Sequence, residues 1–305
     1  MSDFDLAYPR DMVGYGPNPP HPHWPDDANL AVQFVLNYEE GAENCVLDGD
    51  PAAESLLSDV VPMDVYPNRN LPIETMYEYG SRAGLWRVLR AFATRDIPLT
   101  IFAVARALER NPAAVHELKR MNCEVACHSL RWISYQTVDP RVERQHIDEA
   151  VQIITRLIGE PPRGWFTGRV SPQTRELVVE HGGFAYDADS YADDLPYWVK
   201  VNGQDHLVVP YTLEANDMKF TSYAGFATGE EFFSYLKDAF DVLYAEGVAG
   251  APKMLSVGLH CRLSGRPART AALQRFLDYV QSHDKVWMAQ RIDIANHWAK
   301  VHPPN

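Results

Sequence analysis

The chain has 305 residues, 46% of them hydrophobic, with 41 acidic against 28 basic side chains and a formal net charge of −13. That length suffices for one large domain or two small ones. The acidic balance argues against nucleic acid and anionic membranes as partners, because both reward clustered Lys and Arg. No apolar run approaches the roughly 20 residues of a membrane span. The start, Met1-Ser2-Asp3-Phe4-Asp5, has neither the basic nor the apolar part of a signal peptide. Cys45, Cys123, Cys127 and Cys261 form no C-x-x-C pair, so they read as free thiols of a reducing compartment. These features predict a cytoplasmic protein whose substrate is a small molecule rather than a cell-wall polymer.

In chain order, residues 1–30 read as an irregular arm, rich in Pro and Gly between Tyr8 and Pro25. His21 and His23 within it have no neighbouring carboxylate or thiol to complete a metal site. From residue 31 onward strand and helix patterns alternate. Short apolar runs at 31–37, 99–104, 124–128, 164–168, 184–190, 206–212, 254–260 and 285–288 predict buried, largely parallel strands. Residues 82–95, 139–158, 230–244, 268–281 and 292–301 carry helical spacing, and Ser171-Pro172 predicts an N-cap with Pro at the first helical position. Residues 41–81 have weak periodicity and predict a long loop that covers a site or meets another subunit. No fixed-period repeat, G-x-G-x-x-G turn or P-loop is present. The alternation predicts an α/β fold, a βα barrel or an open doubly wound sheet, in a single domain over 1–305. A barrel is favoured over an open sheet because Glu39, Glu40, His128, Arg169, Asp187, Asp189 and His260 all fall at or just past strand C-terminal ends, which converge on one face.

Several of these residues suit hydrolysis. Glu39 and Glu40 end a buried strand before Gly41, and two carboxylates held together repel, which raises the pKa of one of them. His128 and His260 each end a strand-like run and can move protons. Arg262 lies two residues after His260, and its fork of donors suits carbonyl or ureido oxygens.

These segments resemble the polysaccharide deacetylase family. Asn37-Tyr38-Glu39-Glu40-Gly41 stands where that family has T-F-D-D-G, and His128-Ser129-Leu130-Arg131-Trp132 where it has H-S/T-x-x-H. The segment from Arg163 to Arg169, the run Asp187-Ala188-Asp189-Ser190, and Leu255 to His260 match the later motifs in order. The resemblance implies a deacetylase-type barrel. Both Asp positions are Glu and the second ligand His is Trp132, which has no lone pair for a metal, so no metal and no other cofactor is expected. Tyr79 to Gly84, Asp193 to Trp198, Pro210 to Met218 and Gly258 to Arg262 further resemble the metal-independent allantoinase branch of the family. That branch implies a cytoplasmic homotetramer that opens the hydantoin ring of allantoin to allantoate. On this reading Glu39 activates water while Glu40 and His128 order the site. A backbone N–H near Phe166, with Arg169, holds the oxyanion. His260 protonates the leaving nitrogen, Trp132 stacks on the ring, Arg169 or Arg262 grips it, Asp189 is placed at the substrate, and an acid of the Asp187–Ser190 run orients the Arg of the preceding motif. The sequence departs from the branch at Cys127-His128-Ser129-Leu130, where S-H-G-Y is typical. A cyclic imide hydrolase is the alternative that keeps the lost metal site. A metal-dependent amino-sugar deacetylase would use Glu40 and His128 as residual ligands. A non-catalytic binding barrel is a further alternative.

Overall fold

The computed structural model describes residues 9–59 and 64–304; the first eight residues of the arm and residues 60–63 of the long connection lie outside the described residues. In chain order the elements are β1 (Leu30–Tyr38), α1 (Leu71–Tyr79), α2 (Leu85–Ala93), β2 (Thr100–Ala103), α3 (Ala105–Arg110), α4 (Pro112–Arg120), β3 (Glu124–Cys127), α5 (Pro140–Ile158), β4 (Gly164–Trp165) and α6 (Thr174–His181). They continue with β5 (Tyr186–Asp187), β6 (Tyr197–Val201), β7 (Gln204–Val208), α7 (Gly229–Val248), β8 (Lys253–His260), α8 (Cys261–Ser264), α9 (Pro267–Gln281), β9 (Val286–Met288) and α10 (Arg291–Val301). Among the described residues no helix is long and apolar enough to cross a membrane.

The strands form one curved sheet in the order β6-β7-β5-β4-β3-β2-β1-β8, with β9 also on β1. All pairings are parallel except the β6–β7 hairpin. β1 is wholly buried, with a core layer on each face, and both its edges are paired: β8 runs along one, while β9 takes the first half of the other and β2 the second half. The segment after β7 meets β8 at a parallel bridge, Asn216 with Gly258, where the Gly258 N–H donates to Ala215 O. A Cβ on Gly258 would overlap the Asn216 amide and the Tyr211 hydroxyl, so the bridge needs glycine there. The result is a distorted (β/α) barrel, one of the two architectures that the strand–helix alternation predicts.

The two-residue strand period sorts the core into two layers. Leu30, Val32, Phe34, Leu36 and Tyr38 of β1 pack outward among the helices. Ala31 and Val35 pack inward with Phe102, Ala126, Phe166, Tyr186 and Tyr211. The interior is partly polar: Gln33 accepts from the buried Arg291 at 2.6 Å, and Asn37 donates to the Tyr211 hydroxyl at 2.8 Å.

Four expectations change. The connection over 41–81 is not all loop, since it ends in α1 and a π-helical turn, Gly80–Gly84, that runs into α2. That turn replaces the start of the helix predicted over 82–95, and a Cβ on Gly84 would overlap the Cys261 carbonyl of α8. Ser171 is not an N-cap: it precedes a turn, its hydroxyl accepts from Gln173 N at 3.1 Å, and α6 begins at Thr174. The strand predicted over 206–212 begins earlier and pairs with β6 through Asn202-Gly203, both at positive φ, the signature of a tight hairpin turn. All four cysteines are free thiols.

Candidate functional site

The strand period that sorts the core also sorts the carboxylates. Continuing β1 past Tyr38, Glu39 falls on the interior side and Glu40 on the helix side. Glu39 Oε1 lies 3.3 Å from His128 Nε2 and 3.5 Å from His260 Nε2, and Oε2 accepts from Arg262 Nη2 at 2.7 Å. Glu40 Oε1 instead accepts from the Arg262 backbone N–H at 3.2 Å and its Nη1 at 3.3 Å, while Oε2 accepts from Glu39 N–H at 3.1 Å. It packs so close to Gly80 that a Cβ there would overlap the carboxylate. A cavity of about 330 Å³ on this helix side is lined by Glu40, Glu43, Ser81 and Arg110 and by neither histidine. Glu39, His128, His260 and Arg262 are each at most 4% exposed.

The imidazoles are fixed at their far nitrogens. His128 Nδ1 lies 2.9 Å from the Phe166 carbonyl, which can only accept, so Nδ1 carries a proton and Nε2 faces Glu39. His260 Nδ1 lies 2.6 Å from Asp217 Oδ1. Asp217 is fully buried, and its other oxygen accepts from the backbone N–H of His260 at 2.8 Å and Ser264 at 3.0 Å. His260 therefore sits between two carboxylates. Burial favours its neutral form, but Glu39 and Asp217 outweigh that and raise it to about 9. Burial alone would raise the Glu39 carboxyl, yet Arg262, His260 and His128 hold it well below the usual range. Glu40 is the partner that rises, through burial and the charge of Glu39, which together outweigh Arg262.

The remaining predicted residues divide. Phe166 stacks under the site, 4.9 Å from the His128 ring and 4.7 Å from Phe102. Its N–H donates to Cys127 O, and those of Thr167 and Gly168 donate to Asp189, so these N–H groups are engaged rather than aimed at an oxyanion. Asp189 does not orient Arg169: it holds this backbone turn, and burial with the neighbouring Asp187 charge pushes it up to about 7. The arginine that pairs with Asp187 is Arg175, at 2.7 Å and 3.0 Å, with His206 Nε2 on the same carboxylate at 2.9 Å. Arg169 instead pairs with Glu54 at 3.0 Å. Its guanidinium carbon lies 4.7 Å from the centre of the Trp132 ring and that of Arg262 lies 5.4 Å from it. Trp132 packs in the outer core, 6% exposed. Arg262 is also not a free clamp: its Nε donates to Leu57 O at 2.8 Å and its other nitrogens serve Glu39 and Glu40.

Ser129 and Leu130 turn away from His128. The Ser129 hydroxyl donates to Tyr135 Oη at 2.7 Å, Leu130 lies in the outer core, and Ser129 takes a φ of +66°, a conformation that glycine adopts without cost. Asp217 was not anticipated. It lies 43 residues before His260, and the Asn216–Gly258 bridge brings the two together, so sequence spacing carries no signal for it.

Comparisons place this geometry among known proteins. The polysaccharide deacetylase family pattern matches residues 68–182. A Schizosaccharomyces pombe protein, whose name provisionally makes it a polysaccharide deacetylase, is 43% identical over 96% of this chain and 98% of its own length. The chain belongs to the polysaccharide deacetylase family. Among solved structures of the family, a probable polysaccharide deacetylase from Pseudomonas aeruginosa PAO1 is 58% identical, with a TM-score of 0.95 over 98% of this chain and all of its own. A structure described as PuuE allantoinase is 57% identical, with a TM-score of 0.96 over 98% of this chain and 99% of its own.

The metal of the family does not fit the residues found here. Its three ligand positions correspond to Glu40, His128 and Trp132. Glu40 faces the helices and is held by Arg262, His128 Nε2 faces Glu39, and the Trp132 indole has no lone pair to donate. Among the described residues no group of three or more His, Cys, Asp or Glu is arranged to hold a metal ion. A fixed guanidinium, that of Arg262, supplies positive charge beside both glutamates instead.

Proposed function

We propose that this deacetylase-family hydrolase opens a cyclic amide ring without a metal, most directly allantoin to allantoate. The observation that carries the reading is one carboxylate oxygen of Glu39 facing the Nε2 atoms of both His128 and His260, with Arg262 on the other oxygen. Likeness over nearly the whole chain to a protein described as an allantoinase supports the choice of ring. Water adds to a ring carbonyl and its proton passes to the Glu39 carboxylate. Arg262, His260 and His128 hold Glu39 ionised and so able to accept that proton, while His128 orders the site. The carbonyl oxygen takes up charge near Arg169. The C–N bond then breaks as His260, protonated at neutral pH, gives its proton to the ring nitrogen. A hydantoin or imide carbonyl is more electrophilic than a plain amide, which partly offsets the missing Lewis acid. Trp132 forms the wall beneath the two guanidinium groups. A cytoplasmic homotetramer belongs to the same reading.

The test is to incubate the protein with allantoin, hydantoin, succinimide and an N-acetylglucosamine oligomer, following ring opening and acetate release. Fastest opening of allantoin supports the proposal. Preference for succinimide makes the enzyme a cyclic imide hydrolase, and binding without turnover of any of them makes it a binding barrel.

A further inference from the structure

Residues 53–59 are tied to the barrel more firmly than a connecting loop requires. Glu54 is 3% exposed. Its Oε1 accepts from the backbone N–H groups of Ser55 at 2.8 Å and Leu56 at 3.0 Å. Its Oε2 accepts from Asn44 Nδ2 at 2.7 Å and Arg169 Nη1 at 3.0 Å. Two carbonyls that follow are held as well: Leu56 O by the Tyr77 hydroxyl at 3.1 Å and Leu57 O by Arg262 Nε at 2.8 Å. Leu57 has a φ of +50°, which a branched side chain rarely adopts unless its surroundings impose it. The segment thus rests on Arg169 and Arg262, the two guanidinium groups that flank Trp132.

We propose that residues 53–59 are a latched cover, and that the Glu54 carboxylate is a built-in competitor for Arg169. The carboxylate gives the guanidinium what a carbonyl or carboxylate oxygen of a substrate would give it, a charge-assisted hydrogen bond. The bonds of Glu54 to the Ser55 and Leu56 N–H groups lie within the segment and survive if it lifts, while Asn44 holds Glu54 near the hinge end of the segment. The bond of Glu54 to Arg169 does not survive. Arg169 is also the guanidinium within reach of solvent, its side chain 22% exposed against 1% for Arg262. A molecule entering from outside therefore meets Arg169 first and competes with Glu54 for its Nη1. The kinetic half of this inference rests on the proposed cyclic-amide reading; the latch itself does not.

The experiment compares the full-length protein with Glu54→Gln and Arg169→Gln, each cutting the latch from one side. Backbone amide hydrogen exchange is read over residues 53–59 and, as an internal control, over β1. Both variants should exchange about tenfold faster or more over 53–59, with β1 unchanged. Glu54→Gln should also lower KM for allantoin severalfold at little change in kcat, whereas Arg169→Gln should raise KM. Unchanged exchange over 53–59 in either variant, or acceleration that spreads to β1, overturns the latch. Released exchange with an unchanged or higher KM in Glu54→Gln overturns the competition. If no cyclic amide is turned over, the exchange measurement still decides the latch, and the substrate reading alone fails.

Discussion

Glu39 and Glu40, adjacent in the chain, face opposite sides of the barrel sheet and are bridged by one arginine. Glu39 points inward to His128 and His260, while Glu40 points outward to the π-helical turn at Gly80, and Arg262 reaches both at 2.7 Å and 3.3 Å. In the proposed mechanism the pair is therefore one reacting carboxylate and one that anchors its counter-ion.

Exchanging each for glutamine separates the two roles. Glu39→Gln removes a proton acceptor and should lower kcat by about 10²–10⁴-fold with the fold retained. Glu40→Gln weakens the anchoring of a buried guanidinium that keeps Glu39, and should cost about 1–3 kcal/mol of stability with a smaller loss of kcat. Steady-state kinetics and urea unfolding on both variants check this. A larger kcat loss in Glu40→Gln would reverse the assignment.

The His260–Asp217 pair predicts the alkaline side of the pH profile. The imidazole is raised from 6.5 to about 9 in the folded protein. Its ion pairs contribute stability fully below about 6.5, and that contribution is lost as pH rises through about 9. A general acid with this value should sustain kcat up to the same region and fail above it. Asp217→Asn removes one of the two carboxylates, so the alkaline limb should move to lower pH and thermal stability near neutrality should drop. A limb that stays in place in Asp217→Asn would mean that another group donates the proton.

Much of this was legible in the chain. The largely apolar run of β1, the strand–helix alternation and the polar residues at strand ends predict the barrel, because a strand buried on both faces is mostly apolar. His128, His260 and Glu39 meet because parallel strands bring their C-terminal ends to one rim. Other features depend on what faces what. Whether Arg262 is free to bind substrate depends on its three partners, two of them 222 and 223 residues away in sequence. Asp189 reads as an orienting acid from its place in a motif, yet its bonds go to the backbone of Thr167 and Gly168. The helices over 105–120 had a readable signal in Asn111-Pro112, a capping side chain followed by Pro at the first helical position, and Asn111 accepts from Ala114 N at 3.1 Å.

The close approach of the π-helical turn to α8 makes Gly84 a sensitive position. A methyl group there would overlap the Cys261 carbonyl, a backbone atom that cannot swing aside. Gly84→Ala should destabilise the protein by about 1–3 kcal/mol or more. It should also lower activity, because α8 carries Arg262. Urea unfolding with parallel assays tests this, and an unchanged midpoint would show that the two elements can separate freely.

Trp132→His restores the imidazole of the family pattern at a packed position. The smaller ring leaves a void beside Tyr77 and under two guanidinium groups, and should cost about 2–4 kcal/mol. Ring opening should fall, and the variant should hold no zinc after dialysis, because Arg262 already occupies both glutamates. Stoichiometric zinc in the dialysed variant would show that Arg262 yields its place.

The central claim is tested most directly by turnover in metal-stripped protein. After exhaustive dialysis against dipicolinate, the account predicts that allantoin is still converted to allantoate at an undiminished rate, that added zinc does not increase it, and that no acetate is released from an N-acetylglucosamine oligomer. Loss of activity on chelation and recovery with zinc, or acetate release faster than any ring opening, would contradict it.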